Sequence, residues 1–105
     1  MFSFGYPAAP PFDGSRLIYC SGRAFNDTVM TRDQGLRCNM TGGASGGPWF
    51  QNFNESTGLG MLNSVNSFKY TSGPFSNYMF GPSFGAYAQR TYTAALGATG
   101  NTTVD

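Results

Sequence analysis

The chain alternates short apolar runs with clusters of Gly, Pro, Asn, Asp and Ser, a pattern that predicts short β-strands joined by tight turns. Six such runs are predicted as strands, over residues 2–6, 16–25, 35–39, 49–52, 59–68 and 78–84. Residues 86–96 have helix-forming composition and are followed by Gly97. This order predicts an all-β fold, a closed six-stranded antiparallel barrel over 1–96 with its terminal helix, and a disordered polar tail over 97–105.

The composition supports a folded β-protein of one domain. Fifteen Gly and six Pro supply turns, while ten Phe and six Tyr fit half-buried sheet faces. Disorder is the alternative for so Gly-rich a chain, but 40% apolar residues, with 16% aromatic, bury enough surface to oppose the chain entropy. A length of 105 residues leaves room for one core only.

Charge and hydropathy exclude several classes of partner. Six Lys or Arg against five Asp or Glu form no basic patch able to neutralise a row of phosphates, so we expect no nucleic-acid binding. No apolar run approaches the roughly 18 residues of a membrane span, and residues 1–7 lack the features of a signal peptide. We therefore expect neither a membrane-spanning nor a targeting segment in this chain.

The chain has few residues that can bind a metal or take part in redox chemistry, and this limits the reactions it can support. Histidine is absent and only two cysteines occur, so we expect no metal site, no cofactor and no Ser-His pair within this chain. Low charge with abundant Asn, Thr and Gly is common in extracellular proteins, where two cysteines in a small β-domain form a disulfide. We predict a Cys20–Cys38 disulfide on that ground, with two reduced core cysteines as the alternative.

Residues 41–48, TGGASGGP, carry the candidate chemistry. The glycines permit dihedrals that turn successive N–H groups inward, while Ser45 projects its hydroxyl into a cleft. This arrangement predicts an oxyanion hole beside a nucleophile. A Gly-rich hairpin loop with a structural serine is the simpler alternative, but it does not require this order of residues ahead of a strand with buried-type residues.

The pattern Gly-x-Ser-x-Gly over 43–47 also matches the nucleophile elbow of α/β-hydrolases, in which a helix follows the serine. Here Pro48 follows, and residues 49–53, WFQNF, predict a strand. Those hydrolases also need a His after the serine, and this chain contains none. The sequence therefore argues against that fold.

With these residues in view, the chain resembles the trypsin-like serine proteases of the chymotrypsin fold, nearest to their secreted glutamyl-endopeptidase-like and actinobacterial branch. Residues 5–7, Gly-Tyr-Pro, look like the end of the first strand of that branch's second barrel, and 41–48 is similar to its nucleophile loop. Residues 64–68 resemble the strand that pairs with substrate, and 80–84 resembles the closing strand before the terminal helix. The resemblance implies that 1–96 is the second, Greek-key barrel of a secreted protease.

The resemblance assigns a role to each matching position. Ser45 would be the nucleophile, and the backbone N–H groups of Gly43 and Ser45 would form the oxyanion hole. Asn39 would form the base of the primary specificity pocket, and Asn66 with Ser67 would form its wall. Gly81 would lie at the far side of the pocket, and Phe68 would floor the neighbouring subsite. Because Asn39 is neutral, we expect an uncharged residue before the cleaved bond.

Two departures from the family pattern bear on activity. Ala44 stands where many trypsin relatives carry an acidic residue that pairs with a freed N-terminus, so we expect that activation switch to be absent. In addition, the general-base His and its orienting Asp lie in the first barrel of such proteases, and this chain resembles only the second. The only lysine, Lys69, is the alternative base, but its place beside the presumed substrate strand indicates a solvated surface charge.

Two functions remain open from the sequence. The chain is either the C-terminal barrel of a secreted serine endopeptidase, or a non-catalytic secreted β-domain that binds or supports other molecules. In the first case it acts on peptide or protein substrates once a missing N-terminal barrel supplies His and Asp. The reading frame upstream separates the two, since a His and an Asp at first-barrel spacing favour the protease.

Overall fold

The computed structural model describes residues 1–27 and 31–100, which form seven strands and one helix. The strands are β1 Phe2–Gly5, β2 Ile18–Ser21, β3 Phe25–Asn26, β4 Gln34–Arg37, β5 Pro48–Asn54, β6 Leu59–Val65 and β7 Tyr78–Gly81, and the helix α1 is Ala86–Leu96. All the strand pairs are antiparallel. The predicted antiparallel all-β class with a C-terminal helix is therefore confirmed.

The strands form one sheet in the order β2-β1-β5-β6 and another in the order β3-β4-β7. The predicted strand 16–25 is divided between them, since β2 pairs with β1 and β3 pairs with β4. The division follows Ser21, where Gly22 N–H donates to the Met1 carbonyl at 3.1 Å and the Met1 amino group donates back to Gly22. This pair extends the β1–β2 ladder by one residue, and the split of 16–25 raises the number of strands from the predicted six to seven.

The two sheets are joined on two sides. The predicted Cys20–Cys38 disulfide is present, with a Cα–Cα distance of 5.4 Å, and it links β2 to the residue after β4. On the other side Phe68 forms a bridge with Phe80, and the Ser64 hydroxyl donates to the Pro82 carbonyl at 2.6 Å. The segment after β6 is therefore fixed against β7.

The core lies between the sheets, and its largest side chains are fully enclosed. Leu36, Met40, Trp49 and Phe80 are each 0% exposed. Ala44 belongs to the same buried cluster, although it comes from a loop. This loop residue therefore attaches the segment between β4 and β5 to the core.

The outer face of the first sheet carries a second group of aromatic rings. Five half-buried or exposed side chains, here called the outer aromatic cluster, are Phe2, Phe4, Tyr19, Phe50 and Phe53. Their ring centroids lie 5.1 Å apart for Phe4 and Phe53 and 5.9 Å apart for Phe2 and Tyr19. The sheet is thus apolar on the face that turns away from the core.

The helix α1 begins and ends where the sequence predicts, with Gly97 at its C-terminal cap. None of its residues is buried, and Tyr87 is 82% exposed. Within the described ranges, no helix has the length and apolar character needed to cross a membrane. Residues 97–100 of the predicted tail are exposed, and 101–105 lie outside the described residues.

Candidate active site

The loop that carries Ser45 is a tight turn between the core and solvent. Ala44 N–H donates to the Thr41 carbonyl at 3.3 Å, and Gly47 N–H donates to the Ala44 carbonyl at 3.1 Å. Ala44 is 2% exposed, whereas Ser45, the next residue, is exposed. The turn therefore holds Ser45 at the surface, while its neighbour Ala44 anchors the loop in the core.

Two glycines of this loop have backbone conformations that other residues adopt at a cost. Gly43 has φ +105° and Gly46 has φ +83°, so the backbone is left-handed on both sides of Ser45. A Cβ on Gly43 would also lie 2.9 Å from the backbone nitrogen of Ala8. The glycines at these positions are required by the shape of the turn.

The N–H groups of Gly43 and Ser45 are both available to a ligand. Among the described residues neither group donates to a protein acceptor, while the N–H groups of Ala44, Gly46 and Gly47 all do. The Ser45 hydroxyl likewise makes no hydrogen bond within the described part of the chain. A hydroxyl beside two free N–H donors has the composition of a nucleophile with an oxyanion hole.

A short segment after β1 fixes one side of the loop. The N–H groups of Ala8 and Ala9 donate to the Gly42 carbonyl at 2.8 and 3.0 Å, and the Thr41 hydroxyl donates to the Ala9 carbonyl at 2.6 Å. On the other side, Gly46 N–H donates to the Asn66 carbonyl and Asn66 N–H donates to the Gly47 carbonyl, both at 2.8 Å. The loop is therefore hydrogen-bonded on both flanks.

Ser45 lies in a cleft of about 530 Å³ between this loop and the first sheet. The cleft is predominantly apolar, and its lining includes three members of the outer aromatic cluster, namely Phe4, Phe50 and Phe53, together with Tyr6 and Leu17. No carboxylate, ammonium or guanidinium group lines it in the described ranges. Nothing in this lining takes the place of the His that the nucleophile needs as its base.

Asn39 is exposed and lines a different groove, of about 510 Å³, together with Arg37, Asn77 and the disulfide. This groove and the Ser45 cleft share no lining residue. In this chain, therefore, Asn39 and Ser45 are not brought to one cavity. The role of Asn39 at the base of a specificity pocket stays a prediction.

The other predicted substrate-binding residues lie where β6 runs on towards β7. Ser67 and Phe68 both donate their N–H groups to the Phe80 carbonyl, at 2.9 and 3.1 Å. Gly81 is buried, and a Cβ on it would lie 2.1 Å from the Val65 carbonyl oxygen. Asn66 is 2% exposed. Contact of these residues with substrate stays a prediction.

Lys69 is half-buried, and its ammonium group donates to the Cys38 carbonyl, on the side of the disulfide. Burial lowers the pKa of Lys69 below its ordinary value, because water no longer fully solvates the charged form. Lys69 does not line the Ser45 cleft. The geometry therefore gives no support to a Ser-Lys pair.

Solved structures that match this chain are chymotrypsin-like serine proteases. Two of them are the thermostable serine protease AL20 from an extremophilic microorganism and the protease Anisep from Arthrobacter nicotinovorans, each with 49% identity and a TM-score of 0.78. They cover 90% and 92% of this chain, which spans only 41% and 43% of theirs. Neither a family model nor a curated protein matches the sequence. The chain is thus similar to a part of these proteases.

Proposed function

We propose that this chain is the C-terminal half of a serine endopeptidase, with Ser45 as its nucleophile. The observation that carries the proposal is the turn at 41–47, which exposes Ser45. Beside it, the N–H groups of Gly43 and Ser45 donate to no acceptor in the described part of the chain. The 49% identity to solved serine proteases supports it. A non-catalytic β-domain has no such observation in its favour.

The reaction follows from these groups and from a base outside this chain. The Ser45 oxygen attacks the carbonyl carbon of the scissile peptide bond while a His in the other half of the protein takes the hydroxyl proton. The N–H groups of Gly43 and Ser45 donate to the oxyanion that forms. The protonated His then gives its proton to the leaving amine, and a water molecule, activated by the same His, hydrolyses the acyl-enzyme and frees Ser45.

The substrate is proposed to be a peptide or protein held by the segment after β6. Asn39, Ser67, Gly81 and the backbone of Asn66 would surround the residue before the cleaved bond, and Phe68 would floor the next subsite. The neutral amide of Asn39 favours an uncharged side chain at that position. We also propose that the protein is secreted and belongs to the glutamyl-endopeptidase-like and actinobacterial branch, with the disulfide as support for an oxidising compartment.

A fluorophosphonate probe tests this function, because its reaction with serine needs the same proton removal as acylation. The 105-residue chain alone should label slowly or not at all and should not cleave peptides. A hybrid in which this chain replaces the second barrel of a two-barrel serine protease should label rapidly and hydrolyse peptides. Ser45→Ala should abolish both activities in the hybrid, and Ser83→Ala, at another exposed serine, should leave them intact.

Each contrary result has a definite meaning. Rapid labelling of the isolated chain would show that a base is already present in it. Lys69 would then be the candidate for that base. A folded hybrid that neither labels nor cleaves would overturn the protease proposal and leave a binding or structural domain.

A further inference from the structure

The buried side chain of Asn66 joins three parts of the molecule, namely β1, β5 and the loop residue before Ser45. Its Oδ1 accepts from the Ser3 hydroxyl at 2.5 Å and from Trp49 Nε1 at 2.6 Å. Its Nδ2 donates to the carbonyl oxygens of Phe4 at 2.9 Å and Ala44 at 3.0 Å. Two acceptor sites and two donor protons are the full capacity of an amide, so all of it is used inside the protein.

The four partners also fix which way the amide faces. The Trp49 indole nitrogen only donates, so Oδ1 must point towards it, and the two backbone carbonyls only accept, so Nδ2 must point towards them. Aspartate is the isosteric alternative to Asn66, but its carboxylate has no proton to give to either carbonyl. The position thus needs an acceptor on one edge and a donor on the other.

The bond to Ala44 has a consequence for the next residue. The carbonyl of Ala44 and the N–H of Ser45 belong to the same planar trans peptide unit, in which the two groups point in opposite directions. A hydrogen bond that holds the carbonyl towards the interior therefore holds the Ser45 N–H towards the cleft. The same relation holds at Gly43, whose N–H shares a peptide unit with the Gly42 carbonyl that Ala8 and Ala9 bind.

We propose that Asn66 is a positioning residue that aims the Ser45 N–H at the oxyanion. The inference rests on the proposed function, since it assigns this N–H a catalytic use. Gly47 N–H also binds the Ala44 carbonyl, so that loss of Asn66 Nδ2 loosens the peptide unit without freeing it. Catalysis should suffer more than substrate binding, because the oxyanion forms only as the reaction proceeds.

The first test compares variants on the two edges of this amide in the two-barrel hybrid. Asn66→Asp keeps the acceptor edge and loses the donor edge, whereas Trp49→Phe and Ser3→Ala remove donors to Oδ1 and leave Nδ2 in place. Asn66→Asp should lower kcat at least about tenfold with KM changed by less than about twofold, and should weaken a peptide boronate by a similar factor to kcat. The two control variants should reduce thermal stability but keep kcat within about twofold.

A second measurement needs neither activity nor a variant that folds. In the isolated chain, the two Nδ2 protons of Asn66 should exchange with water at least about a hundredfold more slowly than those of an exposed asparagine such as Asn77. If Asn66→Asp folds, the amide signals of Ser45 and Gly46 should shift or broaden, whereas Trp49→Phe should spare the Ser45 signal.

These results separate the two proposals. An inactive hybrid with protected Nδ2 protons and a displaced Ser45 amide in Asn66→Asp would refute the protease function while showing that Asn66 orients the Ser45 N–H. Nδ2 protons that exchange at the solvent rate, or an active Asn66→Asp hybrid with unchanged kcat, would overturn the positioning role while leaving the protease function intact.

Discussion

A Cβ atom placed on Gly47 would lie 1.9 Å from the carbonyl oxygen of Phe4. The loop backbone therefore packs directly on β1, and only a residue without a side chain fits between them. Gly46 shows the opposite requirement, because its φ of +83° is left-handed while no atom lies within 4 Å of the Cβ position. The two glycines after Ser45 are thus needed for different reasons, one for close approach and the other for backbone conformation.

This difference predicts unequal effects of the same substitution. Gly46→Ala should lower the free energy of unfolding by about 1–2 kcal/mol, the cost of a left-handed conformation. Gly47→Ala should lower it by about 3 kcal/mol or more, because a clash with backbone cannot be relieved by a change of rotamer. Urea unfolding of both variants measures the difference, and equal losses would contradict it.

The disulfide should contribute strongly to the stability of so small a domain. Cys20 and Cys38 are 18 residues apart, and a cross-link over such a loop stabilises the fold by about 3 kcal/mol through the entropy of the unfolded chain. Mass analysis without reductant should show both thiols blocked in one chain. The Cys20→Ser, Cys38→Ser double variant should unfold at a correspondingly lower urea concentration. An unchanged unfolding midpoint in this variant would contradict the prediction.

Lys69 should oppose folding at neutral pH, because its folded pKa is lowered by burial. The unfolded chain then binds the proton more tightly, so stability rises with pH between the lowered folded pKa and the unfolded value near 10.5. Lys69→Met keeps the apolar stem without the charge and should remove this rise when its unfolding curves are compared with those of the unaltered chain. An unchanged pH slope would mean that the ammonium group is well solvated.

The same substitution should spare the chemistry. In the two-barrel hybrid, Lys69→Met should label with the fluorophosphonate at the rate of the unaltered protein. A loss of labelling without a loss of fold would identify Lys69 as a participant.

The apolar surface beside Ser45 should make the isolated chain associate. Tyr6 and Leu17 are 53% and 56% exposed, and Tyr19, a member of the outer aromatic cluster, is 58% exposed. Apolar patches of this kind usually mark a surface that a partner covers, and under the proposed function that partner is the other half of a protease. Sedimentation at rising concentration should show self-association, and an apolar dye should bind.

A matched pair of leucines tests where the association occurs. Leu17→Ser should reduce it, because Leu17 lines the Ser45 cleft. Leu59→Ser should not, although Leu59 is 70% exposed, since it lies outside the cleft lining. A clean monomer over a wide concentration range would argue against a covered face.

The fold class was largely predictable because its signals are local. The turn residues and the composition of 86–96 gave α1 at its observed bounds and most of the strands within a few residues. The facing of β1 was not predictable in this way. Its alternation favours burial of the apolar Phe2 and Phe4, but Ser3 and Gly5 are the buried residues. Only small residues fit on that face, since a Cβ on Gly5 would already lie 3.0 Å from the Ala44 side chain.

In the candidate site, too, the local features were predictable from the sequence and the long-range contacts were not. Ser45 and Gly43 stand in one contiguous motif, so their proximity needed no knowledge of the fold. The hydrogen bonds of Asn66 to Ala44 and Phe4 span 22 and 62 residues, and no local sequence pattern predicts them. The role of Asn39 rests on its spacing from Ser45, and it stays a prediction because distance along the chain does not determine which groove a side chain enters.

The bond between Asn66 and Phe4 bears on the order in which the parts of the site come together during folding. Their contact closes 62 residues of chain, and contacts this far apart form late because the entropy of closing the loop is lost before they stabilise anything. A growing or partly unfolded chain would therefore contain Ser45 and Asn66 before β1 was fixed against them. The turn around Ser45 would thus be closed off by the first strand of the chain, and only when β1 docks would its packing against Asn66 be complete.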